Sequence, residues 1–421
     1  MTTIVTAPPT PMPPRDQIEQ SLRDLLEREH ALRHRPRFAR PRQWLRTARS
    51  LRCLGGVSTG NHVEVCCDGD LLLESLWRDI DRATKSVLIE TYCLGSDPVG
   101  RRTVESLVQA RARGCEVLVL YDTVGSMPVE AGLTARLQEA GGRVIAFHPL
   151  RFGALSKFLT RDHRKIAIID HTIAYCGGMN ISEEYAGPRY GTARFHDCHL
   201  RLEGPCIDDL AMILLDSLHE ATGEDRAEHP ALTVPAMIEG GVLVQTLGSN
   251  ARRNVRSIQR ALRCAIRRAG DRCWITTPYF VPPLRLRRAM SHAARRGVDV
   301  RLLTAGESDV PIARLAGRYV YDRLLRDGVH IYEMFGRTLH TKRATVDGIL
   351  GTVGSFNLDT WSDRRNLEVA VTVLDTTLVE ELEQHFLVDL KQSREVTLDG
   401  LARQRWHHRA LQWGAYQLLR W

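Results

Sequence analysis

One phrase occurs twice in this chain. The first copy runs His163-Arg164-Lys165, four residues, Asp170, six residues, then Gly177-Gly178-Met179-Asn180. The second runs His340-Thr341-Lys342, four residues, Asp347, six residues, then Gly354-Ser355-Phe356-Asn357. Identical internal spacing in two distant copies marks a duplication, so the chain must build two like units. The surroundings repeat as well. Arg113-Gly114-Cys115-Glu116-Val117 is echoed by Arg296-Gly297-Val298-Asp299-Val300, and Thr91-Tyr92 stands where the second half has Pro278-Tyr279.

Apolar runs and helical periodicities alternate in both halves. The patterns predict strands over 63–67, 86–92, 116–121, 143–147, 165–169, 172–176 and 199–202, with helices over 70–84, 100–113, 129–140 and 205–222. The second half predicts helices over 251–269, 285–296 and 311–327, with strands over 273–276, 300–303 and 330–333. Alternating strands and helices mean an α/β fold with largely parallel or mixed sheets. The polar, Pro/Gly-punctuated stretch 225–240 reads as a linker. It separates a first repeat, 59–224, from a second, 241–395. A basic tail with an amphipathic helix (1–58) and a Trp/Arg-rich amphipathic tail (396–421) flank them.

His-x-Lys in extended backbone directs both side chains to one face. An ammonium beside an imidazole suits an anion: the lysine supplies charge, the neutral imidazole a nucleophilic or proton-shuttling nitrogen. The Gly-rich turns before Asn180 and Asn357 let backbone and an amide approach an oxyanion, and Ser355 adds a hydroxyl in one copy only. Phosphodiester transfer needs a nucleophile on one side of phosphorus and a general acid on the other. Two halves about an approximate two-fold axis would bring His163 and His340 to one phosphate. Two lysines and two asparagines would then neutralise its free oxygens without a metal. Asp170 and Asp347 fall at turns, where Asp serves the backbone, and read as supports.

The doubled phrase resembles the HKD signature of the phospholipase D superfamily. Wider phrases resemble short bacterial cardiolipin synthases without transmembrane helices: Ile89-Glu90-Thr91-Tyr92, Tyr121-Asp122-Thr123-Val124-Gly125-Ser126, His196-Asp197-Cys198-His199, Thr277-Pro278-Tyr279-Phe280 and Asn366-Leu367-Glu368. The resemblance spans about residues 60–395. It implies two α/β/α sandwich repeats with mixed sheets and one active site at their interface, formed by His163, Lys165, Asp170, His340, Lys342 and Asp347. It further implies a phosphohistidine intermediate, with His163 as nucleophile, although the residues alone leave either histidine in either role. Acidic partners come from the opposite repeat, Glu368 for His163 and Asp197 for His340. No organic cofactor, metal or obligate nucleic acid is implied. Gly178 departs from the superfamily pattern, where Ser is common.

The superfamily leaves phospholipid transfer, phospholipid hydrolysis, nucleic-acid cleavage and a kinase-like branch open, and the chain ends bear on that choice. Net charge is +8, with seven arginines and no acid between Arg33 and Arg49, which favours an anionic partner. Residues 403–421 hold three of the seven tryptophans among arginines and leucines, a mixture suited to the headgroup boundary of an anionic bilayer. The expected partner is therefore a membrane containing phosphatidylglycerol and cardiolipin. No run of about 18 apolar residues predicts a transmembrane helix. Residues 1–14 are Pro/Thr-rich and lack the pattern of a signal peptide. The ten cysteines show no zinc spacing and read as free thiols. His196-Asp197-Cys198-His199 reads as strand alternation rather than a metal site. Together these predict a cytoplasmic protein bound peripherally to the inner membrane.

Overall fold

The computed structural model describes residues 20, 23, 50–127, 129–149, 159–224, 234–250 and 256–420. The predicted N-terminal helix and most of the basic stretch lie outside these residues, as do 251–255 of the predicted helix 251–269. In the first half the elements are β1 (Gly56–Cys66), α1 (Gly69–Arg82), β2 (Ser86–Thr91), α2 (Pro98–Ala112), β3 (Glu116–Asp122), α3 (Ala131–Glu139), β4 (Arg143–Phe147), β5 (Ile166–Ile169), β6 (Ile173–Gly177), β7 (Phe195–His196), β8 (His199–Glu203) and α4 (Cys206–Thr222). The second half continues with β9 (Val242–Ser249), α5 (Ser257–Arg268), β10 (Arg272–Thr276), α6 (Leu284–Arg295), β11 (Asp299–Ala305), α7 (Pro311–Arg326), β12 (His330–Met334), β13 (Thr338–Leu339), β14 (Arg343–Val346) and β15 (Leu350–Gly354). It closes with α8 (Thr360–Arg364), β16 (Glu368–Leu374), α9 (Thr376–Leu390), β17 (Ser393–Val396), α10 (Leu398–Ala402) and α11 (Trp406–Leu419).

The duplication repeats in strand order, apart from the extra edge strand β17. One sheet of 15 strands runs β17-β12-β11-β10-β14-β15-β16-β9-β1-β8-β6-β5-β2-β3-β4. Read outward from its centre, β9-β16-β15-β14-β10-β11-β12 mirrors β1-β8-β6-β5-β2-β3-β4. In each half three strands are parallel and the hairpin after the His-x-Lys phrase is antiparallel, so both sheets are mixed. The halves join where β1 pairs antiparallel with β9 through its first residues and with β8 through its last. β1 thus starts at Gly56, well before the strand expected from Val63. β9 and β16 were not anticipated: Val242–Ser249 and Glu368–Leu374 carry polar residues that the shared core buries.

Helices cover both faces of each half. Helices α1 and α2 pack on the first half through Leu73, Ile80, Val104 and Leu107, and α5 and α6 on the second through Ile258, Ile266, Leu286 and Met290. Between the halves lies a common core. There α4 and α9 (Leu210, Leu214, Val379, Leu382) meet strand residues of both repeats, including Ile168, Leu200, Val353 and Val371. Burying such side chains is worth roughly 1.5–3 kcal/mol each, so the interface is part of the folding core. Helix starts follow capping rules. Asp68 accepts from the amides of Asp70 and Leu71, and Asp97, before Pro98, accepts from that of Gly100.

Candidate active site

Each histidine is placed by a backbone stitch to the opposite repeat. The His163 amide donates to the Leu367 carbonyl at 3.0 Å, and the next residue is Glu368. The His340 amide donates to the His196 carbonyl at 2.8 Å, and the next residue is Asp197. β13 and β7 extend the second stitch as a short parallel pair. In extended chain the side chain after the paired residue faces its neighbour, so each stitch delivers an acid to an imidazole. His163 Nδ1 donates to Glu368 Oε2 at 3.2 Å, and His340 Nδ1 to Asp197 Oδ2 at 2.6 Å. Both acids are fully buried and held below the usual carboxylate range. Burial opposes this, but the facing histidine and the nearby lysine outweigh it.

The lysines lie behind the imidazoles, in extended backbone just before β5 and β14. Lys165 Nζ donates to the His163 carbonyl at 2.8 Å. Lys342 Nζ donates to the His340 carbonyl and stands 2.6 Å from the ring's Nδ1. Their stems border small apolar cavities of about 30 and 40 Å³. Burial therefore lowers both ammonium pKa values, that of Lys165 to about 7, with the other lysine adding to its shift. Burial and the adjacent lysine also lower both imidazoles, His340 to about 4. The resting site is short of protons, and an incoming anion favours their uptake.

Between the histidines a cleft of about 440 Å³ is lined by His163, His340, Asn180, Asn357, Tyr92, Tyr185 and Tyr279 among others. Tyr92 meets the His163 ring edge-on at 4.9 Å, and Tyr185 the His340 ring at 5.3 Å. The four signature side chains His163, His340, Asn180 and Asn357 thus converge. Asp170 and Asp347 do not: they lie at the far ends of β5 and β14. Asp170 accepts from the amides of Thr84, Lys85 and Ser86, and Asp347 from those of Gly270, Asp271 and Arg272. Both have left-handed backbone, φ 50° and 54°. Each fixes a hairpin turn and the entry to the neighbouring strand, β2 or β10.

Ser355 also faces away from the cleft. Its hydroxyl donates to Glu368 Oε2 and accepts from the Val369 amide at 3.1 Å. At the matching position a Cβ on Gly178 would lie 2.3 Å from Asp197 Oδ1. The departure from Ser at 178 is therefore steric: the shorter acid occupies the space of the hydroxyl. The residues 196–199 disperse, with His196 Nε2 2.8 Å from Asp389, Asp197 on His340, and Cys198 Sγ 2.9 Å from Cys67 Sγ. Among the described residues no His/Cys/Asp/Glu group is arranged to hold a metal.

Some cleft residues were not anticipated. Arg161 lies two residues before His163, so period-two alternation from Lys165 would have found it. Tyr185, Asp309 and Asp359 come from loops and a helix cap, where no periodicity signals a facing direction.

Two carboxylate-backed imidazoles, one from each half of a duplicated α/β fold, define a phospholipase D-type phosphodiester-transfer protein. Comparisons with known proteins agree. The family model for the cardiolipin synthase, PLD-like domain matches residues 76–190 and 262–390. The probable cardiolipin synthase YwiE of Bacillus subtilis is 30% identical over 347 residues, 82% of this chain and 69% of that protein. Cardiolipin synthase 2 of Bacillus anthracis is 32% identical over 371 residues, 86% of this chain and 71% of its own length. The crystal structure of a phosphatidylserine synthase from Haemophilus influenzae superposes with a TM-score of 0.68 at 13% identity, covering 89% of this chain and 98% of that one. It shares the fold. The chain belongs to the cardiolipin synthase family of phospholipase D-like phosphatidyl transferases.

Proposed function

We propose that this protein makes cardiolipin, moving a phosphatidyl group from one phosphatidylglycerol to the glycerol hydroxyl of a second phospholipid. The observation that supports this most directly is the pair of acid-backed imidazoles opening on one cleft. The bound phosphodiester anion favours the imidazolium of His340, which takes a proton from solvent at Nε2. His163 Nε2 then attacks phosphorus while the bond to the glycerol oxygen breaks, and His340 gives that oxygen its Nε2 proton. Free glycerol leaves a phosphatidyl group on His163. The acceptor hydroxyl then gives its proton to His340 and attacks phosphorus, releasing His163. Glu368 and Asp197 fix each Nδ1–H, so Nε2 of each ring is the reacting nitrogen, and they stabilise the imidazolium. The amides of Asn180 and Asn357, which line the cleft, meet the non-bridging oxygens, and Lys165 and Lys342 lend positive charge from behind the imidazoles. Asp170 and Asp347 take no step; they hold the strands.

The same reading puts the enzyme on an anionic bilayer at the cytoplasmic face of the inner membrane. Among the described residues no helix is long and apolar enough to cross a membrane. Helix α11 instead buries Gln412 and Ala415 against its own protein and leaves Trp406, Leu411, Trp413 and Leu418 between 53% and 80% exposed. Its last residue, Leu419, lines the cleft. An apolar face flanked by Arg405, Arg409 and Arg420 suits the boundary between headgroups and acyl chains. The division into repeats at 59–224 and 241–395 belongs to this reading too, with the linker 225–240 between.

The test is mass spectrometry of lipids after incubating purified protein with phosphatidylglycerol vesicles, without added metal. Cardiolipin plus glycerol, lost in His340→Ala, is expected. Phosphatidic acid alone would make the enzyme a phospholipase, and unchanged lipid with cleavage of single-stranded DNA would make it a nuclease.

A further inference from the structure

The cleft walls differ although the repeats are copies. Among the described residues the first repeat contributes Arg161 and no acid to the cleft, and the second contributes Asp309 and Asp359 and no cation. Neither nucleophilic attack by one histidine nor proton transfer by the other calls for two further carboxylates, so the difference serves something attached to phosphorus. Asp309 is tied to the His340 side through Tyr279. Tyr279 meets the His340 ring edge-on at 6.4 Å, and its hydroxyl donates to Asp309 Oδ2 at 2.6 Å. Asp359 caps α8 by accepting from the Ser362 amide at 2.8 Å. On the same wall the buried amide oxygen of Asn357 has no hydrogen-bond partner among the described residues.

These groups are acceptors. A phosphodiester offers no donor, so it leaves the buried Asn357 oxygen unsatisfied, while Asp309 and Asp359, which already accept from Tyr279 and Ser362, keep further lone pairs for a donor. A hydroxyl-rich alcohol supplies what is missing. We propose that Asp309, Asp359 and the Asn357 carbonyl form a polyol subsite that holds the glycerol headgroup beside His340. This inference rests on the transfer reaction proposed above and names which part of the protein reads the alcohol. In the first half-reaction the subsite holds the departing glycerol, whose oxygen takes the His340 proton. In the second it holds the acceptor's glycerol unit, whose hydroxyl returns that proton as its oxygen bonds to phosphorus. Burial raises the Asp359 carboxyl to about 7, so near neutral pH it can accept from or donate to a hydroxyl, which suits a polyol better than an ammonium headgroup.

Headgroup exchange tests this. Purified enzyme on phosphatidylglycerol vesicles is given equal amounts of deuterated glycerol, ethanolamine and 1-propanol, and the lipid products are weighed by mass spectrometry. Every product comes from one phosphoenzyme, so loss of folded protein cancels in their ratio. The wild type should favour deuterated phosphatidylglycerol over phosphatidylpropanol. Asp309→Asn or Asp359→Asn, the latter keeping the helix cap, should lower that ratio about tenfold. A fall below about twofold in both variants overturns the subsite, as does a wild type that favours ethanolamine. A wild type that transfers to no alcohol overturns the transferase reading, and the subsite with it.

Discussion

Glu368 Oε2 accepts from His163 Nδ1 at 3.2 Å across the boundary between the repeats, and the Ser355 hydroxyl donates to the same oxygen. Neither half therefore owns a complete histidine. Glu368→Gln keeps the shape but lets the imidazole adopt the wrong tautomer, and the same holds for Asp197→Asn at His340. Each should cut kcat by about 10²–10⁴ with an unchanged melting curve. Steady-state rates beside circular dichroism measure this, and near-normal turnover in either variant would remove the proposed roles of the acids.

Replacing either histidine should be as damaging as replacing both. His163→Ala, His340→Ala and the double variant should each lose at least about a thousandfold in turnover while remaining folded. The two single variants should differ in one respect. With a short-chain phosphatidyl ester of a good leaving group, His340→Ala should accumulate a phosphatidyl adduct in intact-mass spectra, and His163→Ala should not. The reverse pattern exchanges nucleophile and acid.

Anion binding should draw protons from solution. His340, near 4, is neutral at pH 7, and Lys165, near 7, is about half charged. An anion beside them favours both protonated forms and raises both values, so the sign is uptake. Calorimetric titration of tungstate at pH 7 in two buffers of different ionisation enthalpy reads the proton number directly. As pH rises through 7 Lys165 loses its charge, so tungstate affinity should fall there. Proton release, or none, would contradict the proton-poor site.

Asp170 and Asp347 should matter for stability and not for chemistry. Each accepts backbone amides that would otherwise lack partners, at a cost of about 1–3 kcal/mol. Asp170→Ala and Asp347→Ala should lower the denaturation midpoint while the folded fraction keeps kcat within about threefold. Denaturant titration with active-site-normalised rates separates the two effects. A large loss of kcat at full folding would return these residues to the reaction.

Trp406→Ser with Trp413→Ser should weaken flotation with phosphatidylglycerol vesicles by roughly tenfold to a hundredfold, since each exposed tryptophan contributes a large apolar face. Turnover of a soluble short-chain substrate should be preserved. Unaltered flotation would assign the membrane contact to another surface.

Much of this was legible in the residues. Spacing alone exposed the duplication and the convergence of His163 with His340, because a repeated phrase implies a repeated place. Parallel strands such as β2 and β3 announced themselves as apolar runs. β9 and β16 were missed although VLVQTLGS and EVAVTVL carry apolar β-branched runs; what the local sequence does not show is that their polar members, Gln245 and Glu368 among them, are also buried. Glu368 and Asp197 were reachable only through family resemblance. Their positions depend on backbone stitches between residues far apart in sequence, which alternation cannot report. The cleft acids Asp309 and Asp359 sit in a loop and a cap, where side-chain direction follows tertiary packing.

The two acid pockets have become different objects: Asp197 lies against Gly178, whereas Glu368 leans on Ser355. A symmetric dimer of single repeats would have to build both its histidines alike, so each would compromise between attacking and donating protons. Carrying both copies in one chain removes that compromise. Mutations can tune one imidazole without touching the other, and a division of labour becomes heritable.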